Sequence, residues 1–202
     1  MSEFWNQRYG SDAYAYGTEP NLFLKNQIEN LTPGKILFPA EGEGRNAVFA
    51  ARLGWDVTAF DVSTEGKRKA ELLAAANNVA IQYIIAGYDD VSFEPETFDC
   101  VVLVFAHMIP AKRKEYHRQL VSYLKPGGIL ILEGFSKNQI NFTSGGPREI
   151  EMLFSAGELS DDFSNLDFDV IEEKIIDINE GLYHAGTAAV VRIRGIKTNR
   201  LI

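Results

Sequence analysis

Short apolar runs alternate with longer amphipathic stretches along the first two thirds of the chain. The runs are continuously apolar rather than alternating, which is typical of strands that are covered on both faces of a parallel sheet. They predict five strands, at 35–38, 57–60, 81–85, 100–105 and 129–132. The stretches between them predict helices at 46–53, 64–77 and 111–124. In the last of these, apolar residues recur every three or four positions, as on one buried helical face.

This alternation of strand and helix favours a doubly wound α/β sheet with right-handed crossovers. The end of the chain differs, because two β-branched runs at 169–178 and 188–193 follow one another without a helical stretch between them. They predict a hairpin, so one late strand should run antiparallel to the rest. We therefore expect a single domain over 1–202, with an aromatic-rich cap or lid at 1–30 and an α/β core at 31–202.

Composition and charge narrow the class of protein without naming a function. The formal net charge of −8 disfavours bulk binding to nucleic acid. The single cysteine excludes an internal disulfide and favours a reducing compartment. No apolar run approaches the roughly 20 residues that span a bilayer, and the first residues lack a secretion signal. We expect a cytoplasmic protein with no membrane association and no metal, since the three histidines show no zinc-like spacing.

The turn after the first predicted strand carries the most informative chemistry. It holds Gly42 and Gly44 and leads into a helix, so its backbone can approach a ligand closely beside free helical N–H groups. By themselves, the two glycines fit a simple tight turn equally well. Asp61 ends the second predicted strand, where a carboxylate can accept both ribose hydroxyls of a nucleoside. The alternative for Asp61 is a position at the start of the next helix.

Two carboxylates lie inside the same turn, Glu41 and Glu43. Negative charge there opposes a pyrophosphate and tolerates a cationic sulfonium, which favours an adenosyl ligand over a dinucleotide. The glycine spacing also departs from G-x-G-x-x-G. A nicotinamide-dependent oxidoreductase therefore stays as the weaker alternative.

Further motifs follow one another in a characteristic order. They are Trp5-Asn-Gln-Arg-Tyr9, Tyr16-Gly17, Glu41-Gly-Glu-Gly-Arg-Asn46, Val57-Thr-Ala-Phe-Asp-Val-Ser63, Phe98-Asp99, Leu124-Lys-Pro-Gly-Gly-Ile-Leu-Ile-Leu-Glu133, Gly145-Gly-Pro147 and Glu180-Gly-Leu-Tyr-His-Ala-Gly186. In order and spacing the chain resembles the class I S-adenosylmethionine-dependent methyltransferases, and within them a small group similar to tellurite-resistance and thiopurine methyltransferases. The resemblance covers nearly the whole chain. It implies a Rossmann-like fold with a mostly parallel seven-stranded sheet and an antiparallel C-terminal strand, S-adenosylmethionine as cofactor and a small-molecule acceptor.

The resemblance also implies a set of cofactor contacts. The methionine end of the cofactor would contact Ala40, Gly42 and Gly44, with Val104, Phe105 and Ala106 under it. Asp61 would hold the ribose, Val62 would pack on the adenine, and Gly87, Tyr88 and Asp89 would border the adenine edge. Tyr16 and Gly17 would close over the cofactor. Two positions depart from the family pattern, which usually has an acidic residue at Phe38 and a glycine at Ala40, and Pro39 between them removes one backbone donor. Phe38, Pro39 and Ala40 favour a second interpretation, a module that binds the cofactor or its demethylated product without chemistry.

Methyl transfer from a sulfonium is an in-line displacement, in which a protein chiefly aligns nucleophile, carbon and sulfur. A base is needed only when the nucleophile carries a proton, and the candidates are His107, Glu133 and His184. Their plainer interpretations are a turn residue, a loop cap and a surface residue, respectively. His117 is expected on the solvated side of a helix and Cys100 as a buried apolar filler. The acceptor atom stays open among sulfur, a heavier chalcogen, oxygen and nitrogen.

Overall fold

The computed structural model describes residues 2–198, which form seven strands, six α-helices and two short 3₁₀ turns. The strands are β1 (Lys35–Pro39), β2 (Asp56–Asp61), β3 (Gln82–Ile85), β4 (Phe98–Val104), β5 (Leu124–Phe135), β6 (Leu166–Asn179) and β7 (Ala185–Lys197). The helices are α1 (Ser2–Tyr9), α2 (Leu22–Ile28), α3 (Arg45–Arg52), α4 (Thr64–Ala76), α5 (Pro110–Tyr123) and α6 (Ala156–Asp162). The seven strands lie in one sheet in the order β3-β2-β1-β4-β5-β7-β6.

Contacts divide the described residues into two compact units. The first contains 2–92 and 180–184. In it, β1 pairs in parallel with β2, and β2 with β3. Side-chain caps begin two of its helices, since Asn21 accepts a hydrogen bond from the N–H of Leu24 and Ser63 from that of Gly66. These parallel pairs bring the carboxyl ends of β1, β2 and β3 to one edge, where ligands of open α/β sheets bind.

The second unit contains 93–179 and 185–198. Here β4 and β5 are parallel, whereas β7 runs antiparallel to both β5 and β6. A core cluster of buried apolar side chains lies under this part of the sheet, made of Phe135, Leu153, Ile178, Ala188 and Val190. Long β6 and β7 form the hairpin that the β-branched runs predict.

The predicted fold class is confirmed: the sheet is doubly wound and mostly parallel, and β7 is the antiparallel strand near the C-terminus. All five predicted inner strands and all three predicted helices are present, with ends that differ by a few residues. The three short helices α1, α2 and α6 are absent from the sequence prediction, because seven or eight residues give too few turns for a clear apolar period. No helix among the described residues combines the length and apolar character required to cross a membrane.

His117 corrects one expectation, because its side chain is fully buried rather than solvated. Its Nδ1 lies 2.9 Å from Oδ2 of Asp162, and its ring stacks on Phe163 at 4.4 Å between centroids. Burial lowers the pKa of His117, although the neighbouring carboxylate opposes that shift. The unpredicted helix α6 supplies both partners, so the pattern of α5 by itself could not reveal them. Cys100 is buried as expected, and burial raises the pKa of its thiol.

Candidate active site

The turn after β1 adopts left-handed backbone at three positions. The φ angles are +51° at Ala40, +65° at Gly42 and +86° at Gly44. Left-handed backbone costs an L-residue about 1–2 kcal/mol, which glycine avoids. Ala40 therefore carries a backbone strain that a glycine at this position would avoid. At Gly44 a side chain has no room, because an added Cβ would lie 2.5 Å from Cβ of Ala70 on α4.

The Glu41 side chain forms hydrogen bonds with the first backbone N–H groups of α3. Its Oε1 accepts hydrogen bonds from the N–H groups of Asn46 at 3.0 Å and Ala47 at 2.8 Å. The helix otherwise begins at Gly44 without a side-chain cap. Burial raises the pKa of Glu41 to about 8, although these two hydrogen bonds and Arg45 favour the charged form.

Glu43 is also neutralised within the protein. Its Oε1 lies 2.5 Å from Nζ of Lys69, and both side chains are almost fully buried. Its Oε2 accepts hydrogen bonds from the backbone N–H of Ala15 at 2.8 Å and Tyr16 at 3.4 Å. The negative charge of Glu41 and Glu43 is therefore not available to favour a cationic ligand, contrary to the inference from the sequence. Glu41 caps α3, and Glu43 is paired with Lys69.

Asp61 lies at the end of β2 and contacts the turn after β1. Its Oδ2 accepts a hydrogen bond from the N–H of Gly42 at 3.0 Å, and its Oδ1 accepts one from the N–H of Ser63 at 2.9 Å. Burial raises its pKa, whereas these backbone groups and the N–H of Val62 lower it. A carboxylate offers about four acceptor positions, so three backbone donors leave it capacity for a further hydroxyl.

The residues expected around an adenine lie beside Asp61. A Cβ added to Gly87 would lie 3.6 Å from Cγ1 of Val62, so the ends of β2 and β3 bring these two residues into contact. The ring of Tyr88 packs edge-to-face on Phe60, with 5.3 Å between centroids. Asp89 follows directly in the same loop. The sequence prediction grouped Val62, Gly87, Tyr88 and Asp89, and the parallel pairing of β2 with β3 places them at the same sheet edge.

Tyr9 occupies the open side of the turn at Gly42. A Cβ at Gly42 would lie 2.6 Å from the Tyr9 hydroxyl oxygen, so the absence of a side chain there admits the tyrosine. Trp5 stacks on Tyr9 at 5.4 Å between centroids. Tyr83 donates a hydrogen bond to the carbonyl oxygen of Gly42 at 2.6 Å. Burial raises the pKa of both tyrosines, so both hydroxyls stay protonated.

A buried polar cluster joins the N-terminal segment to residues 180–184. Glu180 accepts hydrogen bonds from Arg45 at 2.7 Å and from Asn21 at 2.9 Å, and it lies 3.7 Å from Nδ1 of His184. The pKa of Glu180 falls to about 2, because these partners outweigh its burial. The ring of His184 lies 4.4 Å from that of Tyr16.

His184 is buried, which corrects the interpretation of it as a surface residue. Burial lowers its pKa, although Glu180 opposes that shift, so the imidazole is neutral near pH 7. Gly181 brings the two segments together, since its added Cβ would lie 2.6 Å from the backbone nitrogen of Gly17. Gly17 and Tyr16 are thus held by the loop that carries His184.

In the second unit, His107 has both ring nitrogens engaged by the backbone. Nε2 accepts a hydrogen bond from the N–H of Phe135 at 3.0 Å, and Nδ1 lies 2.9 Å from the carbonyl oxygen of Met152. A carbonyl can only accept, so Nδ1 carries the proton and Nε2 does not. The ring also stacks on Phe154 at 4.4 Å. This geometry leaves His107 no lone pair for a substrate proton, which argues against its expected role as a base.

Glu133 is buried and forms an ion pair with Arg192, its register partner on β7. This ion pair occupies the Glu133 carboxylate, which argues against its expected role as a base. Val104 pairs with Glu133 at the end of β4, and Ala106 is buried two positions later. Between them Phe105 has a φ of +50°, and strain at such a bulky residue marks a backbone that its surroundings hold in place.

A family comparison identifies the segment that carries the glycine turn, Asp61 and β4. Residues 36–128 match the family model described as "Methyltransferase domain". This segment, just under half of the chain, is similar to that family. S-adenosylmethionine is the cofactor of that class, in agreement with the seven-stranded sheet and with the residues at its edge.

Curated relatives are named as methyltransferases, and solved structures share the fold. The chain is 29% identical over 121 residues to the ubiquinone/menaquinone biosynthesis C-methyltransferase UbiE of Geotalea daltonii, which covers 56% of this chain and 51% of the relative. It is similar in fold to a protein from work on the conversion of a disulfide bond into a thioacetal group during echinomycin biosynthesis, with a TM-score of 0.79, 18% identity and coverage of 99% and 93%. TehB from Haemophilus influenzae gives a TM-score of 0.73, 15% identity and coverage of 98% and 67%. The chain spans about half the length of the curated relative that it matches.

The residues at this sheet edge fit S-adenosylmethionine best at its ribose end. Asp61 supplies a buried carboxylate with remaining acceptor capacity, and Val62 and Gly87 supply an apolar contact beside it. Tyr9 occupies the space beside Gly42, so a cofactor bound there has to pack against the tyrosine ring or displace it. Sequence reasoning missed Tyr9 and Lys69 as site residues. The four-residue spacing of Trp5 and Tyr9 could have indicated one helical face, whereas nothing local could pair Lys69 with Glu43.

Proposed function

We propose that this chain transfers the methyl group of S-adenosylmethionine to a small-molecule acceptor by in-line displacement. The observation that carries the proposal is Asp61, a buried carboxylate at the end of β2 that contacts the glycine turn within the matched methyltransferase segment. A neighbouring pair of hydroxyls is the ligand that such a carboxylate recognises. The cofactor supplies a methyl group that is already activated by its cationic sulfur.

The chain's own residues then bind and orient. Asp61 accepts hydrogen bonds from the ribose, Val62 packs on the adenine, and Gly87, Tyr88 and Asp89 border its edge. Ala40, Gly42 and Gly44 contact the methionine end of the cofactor. The resemblance implies that Val104, Phe105 and Ala106 contact the methionine moiety as well. Tyr16 and Gly17 close over the cofactor. Alignment of this kind can supply about 7–11 kcal/mol in favourable cases, without a protein group that takes part in bond making.

Of the three base candidates, His184 keeps the role. It is neutral near pH 7 because burial lowers its pKa, and a carboxylate oxygen of Glu180 lies 3.7 Å from its Nδ1. Its ring contacts Tyr16, a proposed cofactor-closing residue. The backbone hydrogen bonds of His107 and the ion pair of Glu133 disfavour these two residues as bases. His184 is needed only for an acceptor that carries its proton at neutral pH.

The acceptor is a small molecule that reacts through sulfur, selenium or tellurium, oxygen or nitrogen. The resemblance to tellurite-resistance and thiopurine methyltransferases supports a soft nucleophile. The Geotalea relative is named for ubiquinone and menaquinone biosynthesis, which supports a small organic acceptor. The net charge of −8 disfavours nucleic acid as a substrate.

Replacement of Asp61 tests the proposal directly. Asp61→Asn should weaken S-adenosylmethionine binding at least about tenfold in calorimetry, because it removes a charged acceptor. Asp56→Asn, at the exposed start of β2, is the matched control and should bind as the native chain does. Circular dichroism checks folding, because Asp61 also accepts hydrogen bonds from Gly42 and Ser63. Equal affinity in both variants would contradict the ribose contact.

A binding module without chemistry is the second candidate. The engaged nitrogens of His107, the paired Glu133 and the strained Ala40 favour it. Release of S-adenosylhomocysteine in the presence of thiols or tellurite separates the two functions. Tight cofactor binding with no turnover of any acceptor would favour the module.

A further inference from the structure

Strand β6 ends the sheet, so the outer side of its backbone has no neighbouring strand in the part of the chain that the structure describes. The strand is 14 residues long and contains no glycine or proline that would interrupt pairing. A β-bulge between Phe168 and Val170 leaves 170–179 as its regular part. An open edge of this kind presents a row of N–H and C=O groups to which another strand can bind.

Two apolar side chains of this edge are exposed on one face of the sheet. Ile171 is 40% exposed and pairs with the buried Ile193 of β7. Ile175 is 64% exposed and pairs with the buried Ala189. The apolar face of the sheet therefore continues from buried β7 to the open edge, where it meets solvent. A strand added at that edge would cover both isoleucines through cross-strand contacts.

The charged side chains between these isoleucines have a specific order. This part of β6 reads Val170-Ile-Glu-Glu-Lys-Ile-Ile176. Charged side chains usually protect an edge strand from pairing. Two antiparallel copies of one strand, however, meet in reverse order. The opposite charges of Glu172 and Lys174 then lie across from one another when the pairing is centred on Glu173.

Backbone geometry restricts the ways in which two copies of β6 can pair. Only alternate residues of a strand point their N–H and C=O groups to the open edge, so a twofold axis can pass beside a residue but not midway between two. With the axis beside Glu173, apolar residues meet apolar ones and each carboxylate meets an ammonium. The pairs are Ile171 with Ile175, Val170 with Ile176, and Glu172 with Lys174. A centre one residue earlier or later sets an isoleucine opposite Glu173 instead.

The like charges that remain in this register are engaged within their own chain. Glu173 meets its own copy at the axis, but its Oε1 accepts a hydrogen bond from the N–H of Ala156 at 2.8 Å, at the start of α6. Asp169 would meet Asp177, but Asp169 lies at the bulge and forms an ion pair with Arg194 at 2.6 Å. Repulsion is therefore confined to the axis and to the ends of the paired segment.

We propose that β6 binds the β6 of a second copy of this chain, antiparallel and centred on Glu173, so that the two sheets join along this edge. On one face, the exposed isoleucines of each copy cover those of the other. On the opposite face, Lys174 already lies 3.0 Å from Glu172 in its own chain, so the two copies together form a square of alternating charges. The paired segment is short, and we therefore expect a weak dimer in reversible equilibrium with the monomer.

Charge reversal tests the pairing on the full chain, with sedimentation equilibrium over a series of concentrations as the measurement. The native chain should dimerise reversibly. Glu172→Lys and Lys174→Glu should each weaken dimerisation about tenfold, because each sets like charges opposite one another at two places. An equimolar mixture of the two variants should recover dimerisation, since one copy then carries two lysines and the other two glutamates at the facing positions. A merely structural effect of either replacement would not be rescued by mixing.

Replacement of an exposed isoleucine tests the apolar contacts. Ile175→Lys should weaken dimerisation at least about tenfold, because it sets a charge opposite Ile171 of the other copy. Leu72→Lys is the matched control and should dimerise as the native chain does, since Leu72 is 55% exposed on α4 and not on β6. Glu173→Gln should strengthen the dimer, because it removes the like charges at the axis.

Several results would overturn the proposal. A native chain that stays monomeric at every concentration would do so, and would leave the open edge to a strand of another protein. A mixture of the two charge variants that dimerises as weakly as its components would contradict the register. Equal weakening by Ile175→Lys and Leu72→Lys would contradict the apolar contacts. Growth beyond a dimer would contradict the twofold pairing, because that pairing closes the open edge of both copies.

Discussion

Glu41 combines a structural task with an unusual protonation equilibrium. Gly44, the N-cap residue of α3, has no side chain that could accept a hydrogen bond, and the Glu41 side chain accepts these bonds instead. Its pKa of about 8 means that the folded protein keeps a proton that an exposed glutamate has released at neutral pH. A protonated carboxyl still accepts hydrogen bonds through its carbonyl oxygen, so the cap survives protonation.

The pH dependence of stability should report this group. Between the unfolded value of 4.5 and the folded value of about 8, only the folded state binds the proton, so stability falls as pH rises. The slope of the unfolding free energy reaches at most about 1.4 kcal/mol per pH unit from one such group. Urea unfolding of Glu41→Gln at pH 5 to 8.5 should lack this contribution. Glu71→Gln, at an exposed position on α4, should retain it, and parallel profiles for the native chain and Glu41→Gln would show the assignment to be incorrect.

At the scale of elements, α4 fastens the N-terminal segment to the glycine turn. Lys69 donates hydrogen bonds to the carbonyl oxygens of Ser11 at 3.0 Å and Ala13 at 2.6 Å, while its ion-pair partner Glu43 holds the N–H of Ala15. One buried pair therefore satisfies backbone groups on both sides of a loop. The N-terminal segment is part of the first unit's packing, and it also supplies Tyr9 and Tyr16 to the candidate site.

Breaking this buried pair should cost much more than breaking an exposed one. Lys69→Met leaves Glu43 buried without its cation, which we expect to destabilise the protein by about 3–5 kcal/mol. The double variant Lys69→Met with Glu43→Gln should recover part of that loss, because no uncompensated charge remains. The exposed pair of Lys67 and Glu71, 3.6 Å apart, should contribute under about 1 kcal/mol in the same double-mutant cycle. Equal coupling energies for the two pairs would contradict the structural role.

At the scale of the whole molecule, the sheet order determines where ligands bind. β1, β2 and β3 are parallel, so Gly42 in the turn after β1, Asp61 and Gly87 meet at one edge of the sheet. In the sequence they are 19 to 45 positions apart. The long antiparallel β6 and β7 return the chain so that residues 180–184 join the first unit. The site is thus assembled from segments that are distant in sequence.

Ligand-dependent stability of the whole chain tests the cofactor assignment. S-adenosylmethionine and S-adenosylhomocysteine should each raise the unfolding temperature, and NAD should not. Mass action predicts about 2.7 kcal/mol of stabilisation when the ligand is present at one hundred times its dissociation constant. Differential scanning calorimetry with the three ligands in parallel measures the effect. Stabilisation by NAD with none from the adenosyl compounds would restore the oxidoreductase alternative.

The pattern of apolar residues was sufficient to predict the inner strands, the long helices and the terminal hairpin, because those elements are set by local periodicity and turn residues. Motif order indicated the methyltransferase class, and Asp61 could be placed at a strand end for the same local reason.

Only the tertiary structure decided which charged side chains are available to contact a ligand. It paired Glu43 with Lys69 and Glu133 with Arg192, buried His117 beside Asp162, and engaged both nitrogens of His107. Such partners come from distant segments, and burial and pairing, rather than residue type, decide whether a side chain can act on a ligand.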